Sequence, residues 1–222
     1  MPIPPLLLGH RGARGQKSIP ENTLAAFDLA LAGGCDGFEF DVRLSADGQA
    51  VIGHDAHAGG REIAQTPAQE LALPLLGDVL KRYQNTAFLD IEVKVAGLED
   101  ISLNLLRAHP PARGYVLSSF LPEVLEEVHG RDATIPLGLI CEKPAQYALC
   151  SRLPVQYVIL HYTLVRQSVI AEIKSNNRKV YVWTVNSTAD IKRFAEWGVD
   201  GIISDDPGKL VLALRRKASQ QK

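Results

Sequence analysis

Gly37-Phe38-Glu39-Phe40-Asp41-Val42 is an apolar run interrupted by a carboxylate at alternate positions. Side chains along a β-strand point alternately to its two faces, so Glu39 and Asp41 share one face while Phe38, Phe40 and Val42 take the other. Ala87-Phe88-Leu89-Asp90-Ile91-Glu92-Val93-Lys94 repeats the pattern, with Asp90, Glu92 and Lys94 on one side. Burying an unpaired charge is costly unless the group neutralises itself, so a core strand that carries charge has a use for it. Two more runs end in reactive groups: His10-Arg11-Gly12 closes Leu6-Leu7-Leu8-Gly9, and His54-Asp55 closes Ala50-Val51-Ile52-Gly53.

These runs belong to an alternation that continues to the end of the chain. Pro20-Glu21-Asn22-Thr23 opens a helix with Leu24, Phe27 and Leu31 at helical spacing, stopped by Gly33-Gly34. Strands are expected at 115–119, 135–140, 157–161, 180–185 and 201–204, and helices at 98–107, 122–129, 166–175 and 189–197. The last helix starts at the capping pattern Ser187-Thr188-Ala189-Asp190, which makes Asn186-Ser187-Thr188 a helix start rather than a glycosylation site. Strands alternating with helices predict right-handed βαβ units and a parallel sheet. An open doubly wound sheet fits that alternation, but its site would gather at one switch point behind a glycine-rich phosphate turn, and no such turn is present. The predicted fold is therefore a closed (β/α)8 TIM barrel forming a single domain over 1–222, with the ionisable residues at the C-terminal ends of several strands.

Composition narrows the function classes. With 46% hydrophobic and 22% charged residues the chain reads as a globular enzyme. A net charge of −1 with scattered charges leaves no footprint for nucleic acid or an anionic membrane. Arg215-Arg216-Lys217 reads as the solvated end of a last helix. Cys35, Cys141 and Cys150 share no ligand spacing and are expected as reduced thiols. The run Met1–Leu8 lacks a basic region and is too short for a signal peptide, and no stretch is long enough to span a membrane, so a cytoplasmic location is expected. The sequence carries no mark of oligomeric state.

The chemistry follows from the charged faces. If they line the mouth of the barrel, three or four carboxylates from among Glu39, Asp41, Asp90 and Glu92 converge, and like charges so close would protonate unless a cation neutralised them. Hard oxygen ligands select Mg²⁺ or Ca²⁺ rather than zinc. The alternative is a buried ion-pair network, Glu39 with Arg43 and Glu92 with Lys94. His10 and His54 are the candidate proton carriers, since imidazole titrates near neutrality. Arg11 and Lys94 suit a phosphate, one as a fork and one as a point charge. Trp183 offers either an apolar wall at the mouth or ordinary barrel packing. His161 ends a strand and is a further candidate for the mouth. Glu21 and Asn22 are expected to cap the first helix and brace the His10 loop.

The order His10-Arg11-Gly12, Pro20-Glu21-Asn22-Thr23, Glu39-x-Asp41-Val42, Asp47-Gly48, His54-Asp55, Pro74-Leu75-Leu76, Ile91-Glu92-Val93-Lys94, Ser119-Phe120, Trp183-Thr184-Val185-Asn186 and Gly198-Val199-Asp200-Gly201-Ile202-Ile203-Ser204-Asp205 resembles the glycerophosphodiester phosphodiesterase family, most closely its short cytoplasmic bacterial members. The resemblance runs from about Leu6 to Pro207. It implies a barrel of the phosphatidylinositol-phospholipase-C-like type and a divalent cation held by Glu39, Asp41 and Glu92. It also implies acid–base histidines at His10 and His54, with Arg11 and Lys94 near the phosphate of a small glycerophosphodiester. One departure stands out. Members usually carry a small lobe inserted after the His-Asp motif, whereas here about twenty residues separate His54 from Pro74, so a loop or hairpin with a short helix is expected. A more open mouth keeps two rivals alive on the same fold, a lysophospholipase D and a cyclising phospholipase, beside a non-catalytic glycerol-phosphate binder.

Overall fold

The computed structural model describes residues 4–215. Chain order begins with β1 (Leu6–Gly9), α1 (Leu24–Ala32), β2 (Gly37–Leu44) and β3 (Ala50–Ile52). A two-residue hairpin, β4 (His57–Ala58) and β5 (Arg61–Glu62), and the single turn α2 (Ala68–Leu71) then lead to α3 (Leu76–Tyr83) and β6 (Phe88–Val93). There follow α4 (Glu99–Ala108), β7 (Tyr115–Ser119), α5 (Pro122–Arg131), β8 (Leu137–Cys141), the short α6 (Pro144–Tyr147) and β9 (Tyr157–His161). The chain closes with α7 (Gln167–Ser175), β10 (Lys179–Trp183), α8 (Thr188–Glu196), β11 (Gly201–Ser204) and α9 (Pro207–Arg215).

The main sheet runs β1-β11-β10-β9-β8-β7-β6-β2-β3, and β1 also pairs with β2. The β1–β2 pairing closes the sheet into a barrel of eight parallel strands, leaving β3 outside as an antiparallel partner of β2. The Ala50–Ile52 run is thus the return arm of a hairpin and not a barrel strand. Ser45-Ala46-Asp47-Gly48 makes the turn, with Gly48 at φ 75°, a conformation glycine adopts without steric cost. The shortened lobe consists of the β4–β5 hairpin and α2, tied to the barrel by a small apolar cluster of Val51, Ile63, Ala68 and Leu71. α9 extends to Arg215; Arg216-Lys217 lie outside the described residues, as do Met1–Ile3.

Two apolar layers hold the barrel. The inner one is built from alternate strand residues: Leu8, Phe88, Val116, Ile140, Tyr157, Ile159, Tyr181 and Ile203. The outer one packs the other strand face against the helices. There Phe27 of α1 stacks on Phe38 at 4.3 Å and meets Phe40 at 5.6 Å, and Tyr83 of α3 meets Phe38 edge-on at 4.9 Å. The phenylalanines that alternate with the carboxylates of β2 therefore anchor that strand from behind. Phe27 is fully buried, and Phe27→Ala is expected to cost about 3–5 kcal/mol, read as a lowered midpoint in urea unfolding.

Helix ends follow local chemistry. Thr23, not Glu21 or Asn22, caps α1: its hydroxyl accepts the Ala26 N–H at 3.2 Å, and Gly34 at φ 94° ends the helix. Ser187 caps α8 by accepting the Asp190 N–H at 3.1 Å. No disulfide forms, and Cys35, Cys141 and Cys150 are all buried. Among the described residues no helix is long and apolar enough to cross a membrane.

Candidate active site

Carrying the inner-face alternation two residues past the apolar layer gives the mouth of the barrel. Leu8 leads to His10, Asp90 to Glu92, Ile159 to His161, Tyr181 to Trp183 and Ile203 to Asp205. On β2 and β6 the register sets Glu39 beside Asp90 and Asp41 beside Glu92. Carboxylate oxygens of Glu39, Asp41 and Glu92 consequently lie within 4.8 Å of one another, all three residues being buried.

Each carboxylate is positioned differently. Glu39 Oε2 accepts the Arg11 backbone N–H at 2.9 Å, a contact made with Arg11 held at φ 48°. Gly12 follows at φ 81°, and a Cβ there would stand 2.6 Å from the Ala26 backbone, so the His10-Arg11-Gly12 loop can rest on α1 only with glycine in that place. Asn22, also at positive φ (57°), donates its side-chain amide to Asp41 Oδ2 at 2.8 Å. Asn22 thus orients a carboxylate of the cluster, a role the capping expectation did not contain. Glu21 takes the Arg11 guanidinium at 2.6 Å and Arg14 at 2.9 Å. Asp90, one layer deeper, accepts the Ser118 hydroxyl at 2.6 Å.

The cluster contains part of the ion-pair network but is not neutralised by it. Lys94 Nζ lies 2.6 Å from Glu92 Oε1 and 3.3 Å from Asp41 Oδ1. Arg43 does not pair with Glu39; its Nε donates to the His54 carbonyl at 2.8 Å. Against three carboxylates stand Lys94 and Arg11, and Arg11 is shared between Asp41 and Glu21. Burial, then Asp41 and Glu92, raise the Glu39 pKa well above the usual range. Burial and Asp41 push Glu92 up to about 7, with Lys94 opposing. Burial also carries Asp90 to about 7. Asp41 alone stays below its ordinary value, because Lys94, Arg11 and the Asn22 amide outweigh its burial. Glu39 Oε1 is buried without a hydrogen-bond donor, and Asp41 Oδ1 has no hydrogen bond, only the 3.3 Å ion pair with Lys94. Under-satisfied oxygens in an acidic, hard-ligand cluster fit a divalent cation.

Both histidines are held by carboxylates. His10 Nδ1 sits 2.6 Å from Asp205 Oδ1, and its Nε2 stands 3.8 Å from Glu39 Oε2. His54 Nδ1 sits 2.7 Å from Asp55 Oδ1. His54 follows β3, outside the barrel, yet it is close enough to the cluster to feel Asp41, Arg11 and Lys94; burial lowers its pKa and Asp41 partly offsets this. Asp205 was missed as a site residue in sequence. It is held at about 2 because its bond to His10, then the Asn186 amide, outweigh its burial. The signal was available, since Gly201-Ile202-Ile203-Ser204-Asp205 is another apolar run closed by a charge. Trp183 is half-buried at the mouth, edge-on to Phe120 at 5.6 Å. His161 also reaches the mouth, 5.2 Å from Trp183.

A closed parallel barrel with convergent carboxylates and carboxylate-backed histidines on its C-terminal rim defines a (β/α)8 hydrolase. The chain matches the family model "Glycerophosphoryl diester phosphodiesterase family" over residues 10–73 and 59–209. The glycerophosphodiester phosphodiesterase of Caldanaerobacter subterraneus subsp. tengcongensis is 28% identical over 240 residues, covering 95% of this chain and 98% of the relative. An Oleispira antarctica phosphodiesterase, solved in complex with the product sn-glycerol-3-phosphate, superposes with a TM-score of 0.85 at 28% identity, covering 96% of this chain and 97% of that one. The glycerophosphodiester phosphodiesterase of Thermotoga maritima shares the fold with a TM-score of 0.81 at 23% identity, covering 94% and 97%. The chain belongs to the glycerophosphoryl diester phosphodiesterase family, and it is an enzyme.

Proposed function

We propose that this chain, acting as one domain, hydrolyses glycerophosphodiesters to sn-glycerol 3-phosphate and an alcohol, at a site made of His10, Arg11, Glu39, Asp41, His54, Glu92 and Lys94. The observation that carries this is the meeting of three carboxylates within 4.8 Å on the rim that also holds His10. Glu39, Asp41 and Glu92 would hold the cation, Mg²⁺ or Ca²⁺. When bound it supplies Lewis-acid polarisation of a phosphate oxygen.

Lys94 and Arg11 attract the phosphate to the rim and fix its non-bridging oxygens. One histidine removes the proton of the attacking hydroxyl and the other protonates the leaving alcohol oxygen. Asp205 and Asp55 each accept a hydrogen bond from Nδ1, which leaves Nε2 directed at substrate and stabilises the imidazolium when it forms. Trp183, with Phe120, gives the glycerol carbons an apolar wall. Two nucleophiles suit this geometry, water and the glycerol 2-hydroxyl; ³¹P NMR detection of a cyclic glycerophosphate separates them. With no ordered disulfide and three buried thiols, a reducing, cytoplasmic compartment suits the chain.

The test is release of sn-glycerol 3-phosphate from glycerophosphocholine by purified protein with Mg²⁺ or Ca²⁺; no release with any glycerophosphodiester would overturn the proposal. Asp205→Asn keeps the volume but removes the charge behind His10. It is expected to lower kcat by about 10–100-fold with KM little changed, measured by the same assay.

A further inference from the structure

We infer that Arg43 is a positioning residue for the reaction: it fixes His54 against the carboxylate cluster by holding the His54 carbonyl. The inference deepens the phosphodiesterase reading above and rests on it.

The two histidines are carried differently. His10 directly follows the barrel strand β1, whereas His54 follows β3, an antiparallel partner of β2 outside the eight-strand ring. The lobe beyond His54 is tied down at other places. Its apolar cluster uses Val51, Ile63, Ala68 and Leu71. Its hydrogen bonds to the β2–β3 turn run from the Ala46 N–H to the Thr66 carbonyl at 3.1 Å and from the Ala68 N–H to Asp47 Oδ1 at 3.0 Å. On either side of His54 the backbone is held: the Gly53 N–H donates to the Asp41 carbonyl at 3.0 Å, and the Ala56 carbonyl accepts the Ile63 N–H at 2.9 Å. Between those points the backbone makes one hydrogen bond among the described residues, the 2.8 Å bond from Arg43 Nε to the His54 carbonyl. The imidazole is bonded to Asp55, whose side chain is 81% exposed, so that bond does not tie the ring to the barrel.

Arg43 suits this task by its place on β2. Glu39, Asp41 and Arg43 stand at alternate positions of the strand and so share its inward face. Arg43 is half-buried, and its backbone is set in the ladder opposite Val51. One strand therefore carries two carboxylates of the cluster and the donor that sets their distance to His54. Among the described residues the bond to the His54 carbonyl is also the only one that the Arg43 side chain makes, so no carboxylate accounts for its orientation. Placement of this kind matters to rate, since shifting a reacting group by about 1 Å costs on the order of 10²-fold.

Two substitutions separate the hydrogen bond from the charge, because in each the fourth side-chain atom falls where Nε stands. Arg43→Met puts a methyl group there, and Arg43→Gln puts an amide nitrogen that donates without a charge. With cation-saturated enzyme and glycerophosphocholine, Arg43→Met is expected to lower kcat about 10–100-fold with KM little changed, and Arg43→Gln to stay within about threefold of wild type. In the His54→Ala background Arg43→Met should add a further loss of about twofold or less, because it acts through the group already removed. Independently of turnover, ¹⁵N relaxation should give His54 and Asp55 order parameters of about 0.85 in the wild type and below about 0.6 in Arg43→Met, with Asp41 unchanged. A Gln variant as slow as the Met variant would assign the effect to charge and overturn the inference. So would a Met variant with wild-type kcat, a full multiplicative loss in the His54→Ala background, or unchanged order parameters. A wild type inactive on every glycerophosphodiester would instead overturn the phosphodiesterase reading, and the relaxation measurement would still decide whether Arg43 holds His54.

Discussion

His54→Ala is expected to lower kcat for glycerophosphocholine by about 10²–10⁴-fold while the urea midpoint stays near that of the wild type. The separation of activity from stability follows from placement. His54 is half-exposed after β3, and among the described residues its side chain bonds only the exposed Asp55, so its removal leaves no buried group among them unpaired. His10 is the harder case. It is buried against Asp205 and near Glu39, so His10→Ala should lose as much kcat and some stability besides, because Asp205 Oδ1 loses its 2.6 Å contact and keeps only the more distant Arg14, the Asn186 amide remaining on Oδ2. If the two histidines act in one proton relay, the double variant is little worse than either single one. A His54→Ala enzyme with kcat within about tenfold of wild type would place proton transfer on another group.

Much of this site was legible because a barrel strand is short and its alternation strict. Two residues of β2 and two of β6 fix the carboxylate cluster from sequence alone, and Phe38 and Phe40 fix the opposite face. What was not legible lay between elements. Ala50–Ile52 is as buried as a barrel strand, so burial could not tell its direction; the Asp47-Gly48 turn could have, since it joins it to β2 as a hairpin. Asp205 meets His10 across 195 positions of sequence, a contact that only closure of β1 on β11 creates. Asn22 reaches Asp41 rather than a helix end because its left-handed backbone turns the side chain into the barrel. Arg43 shares the parity of Glu39 but sits two turns of the pleat above it, where the His54 carbonyl is the nearer acceptor.

Chelation of divalent cations is expected to abolish turnover, and restoring Mg²⁺ or Ca²⁺ to recover it and raise the melting temperature. The size of that thermal gain should depend on pH with a definite sign. In the cation-free protein Glu39, Asp90 and Glu92 have pKa values above those of the unfolded chain, with Asp90 and Glu92 at about 7. The folded state therefore binds more protons than the unfolded one, and the contribution of these groups to stability falls as pH rises from the ordinary carboxylate range to about 7. Asp41, shifted the other way, adds stability that is lost only on acidification below that range. A cation on Glu39, Asp41 and Glu92 needs them ionised, so near neutrality its binding releases protons and reverses the loss. The thermal gain from saturating cation should thus be larger at pH 8 than at pH 5, and calorimetry in buffers of different ionisation enthalpy should register proton release at pH 7. Glu92→Gln removes one ligand and one titrating group, and should weaken both the gain and its pH dependence. A gain of equal size at every pH, with no protons released, would mean that the cation binds elsewhere and that Lys94 and Arg11 balance the cluster by themselves.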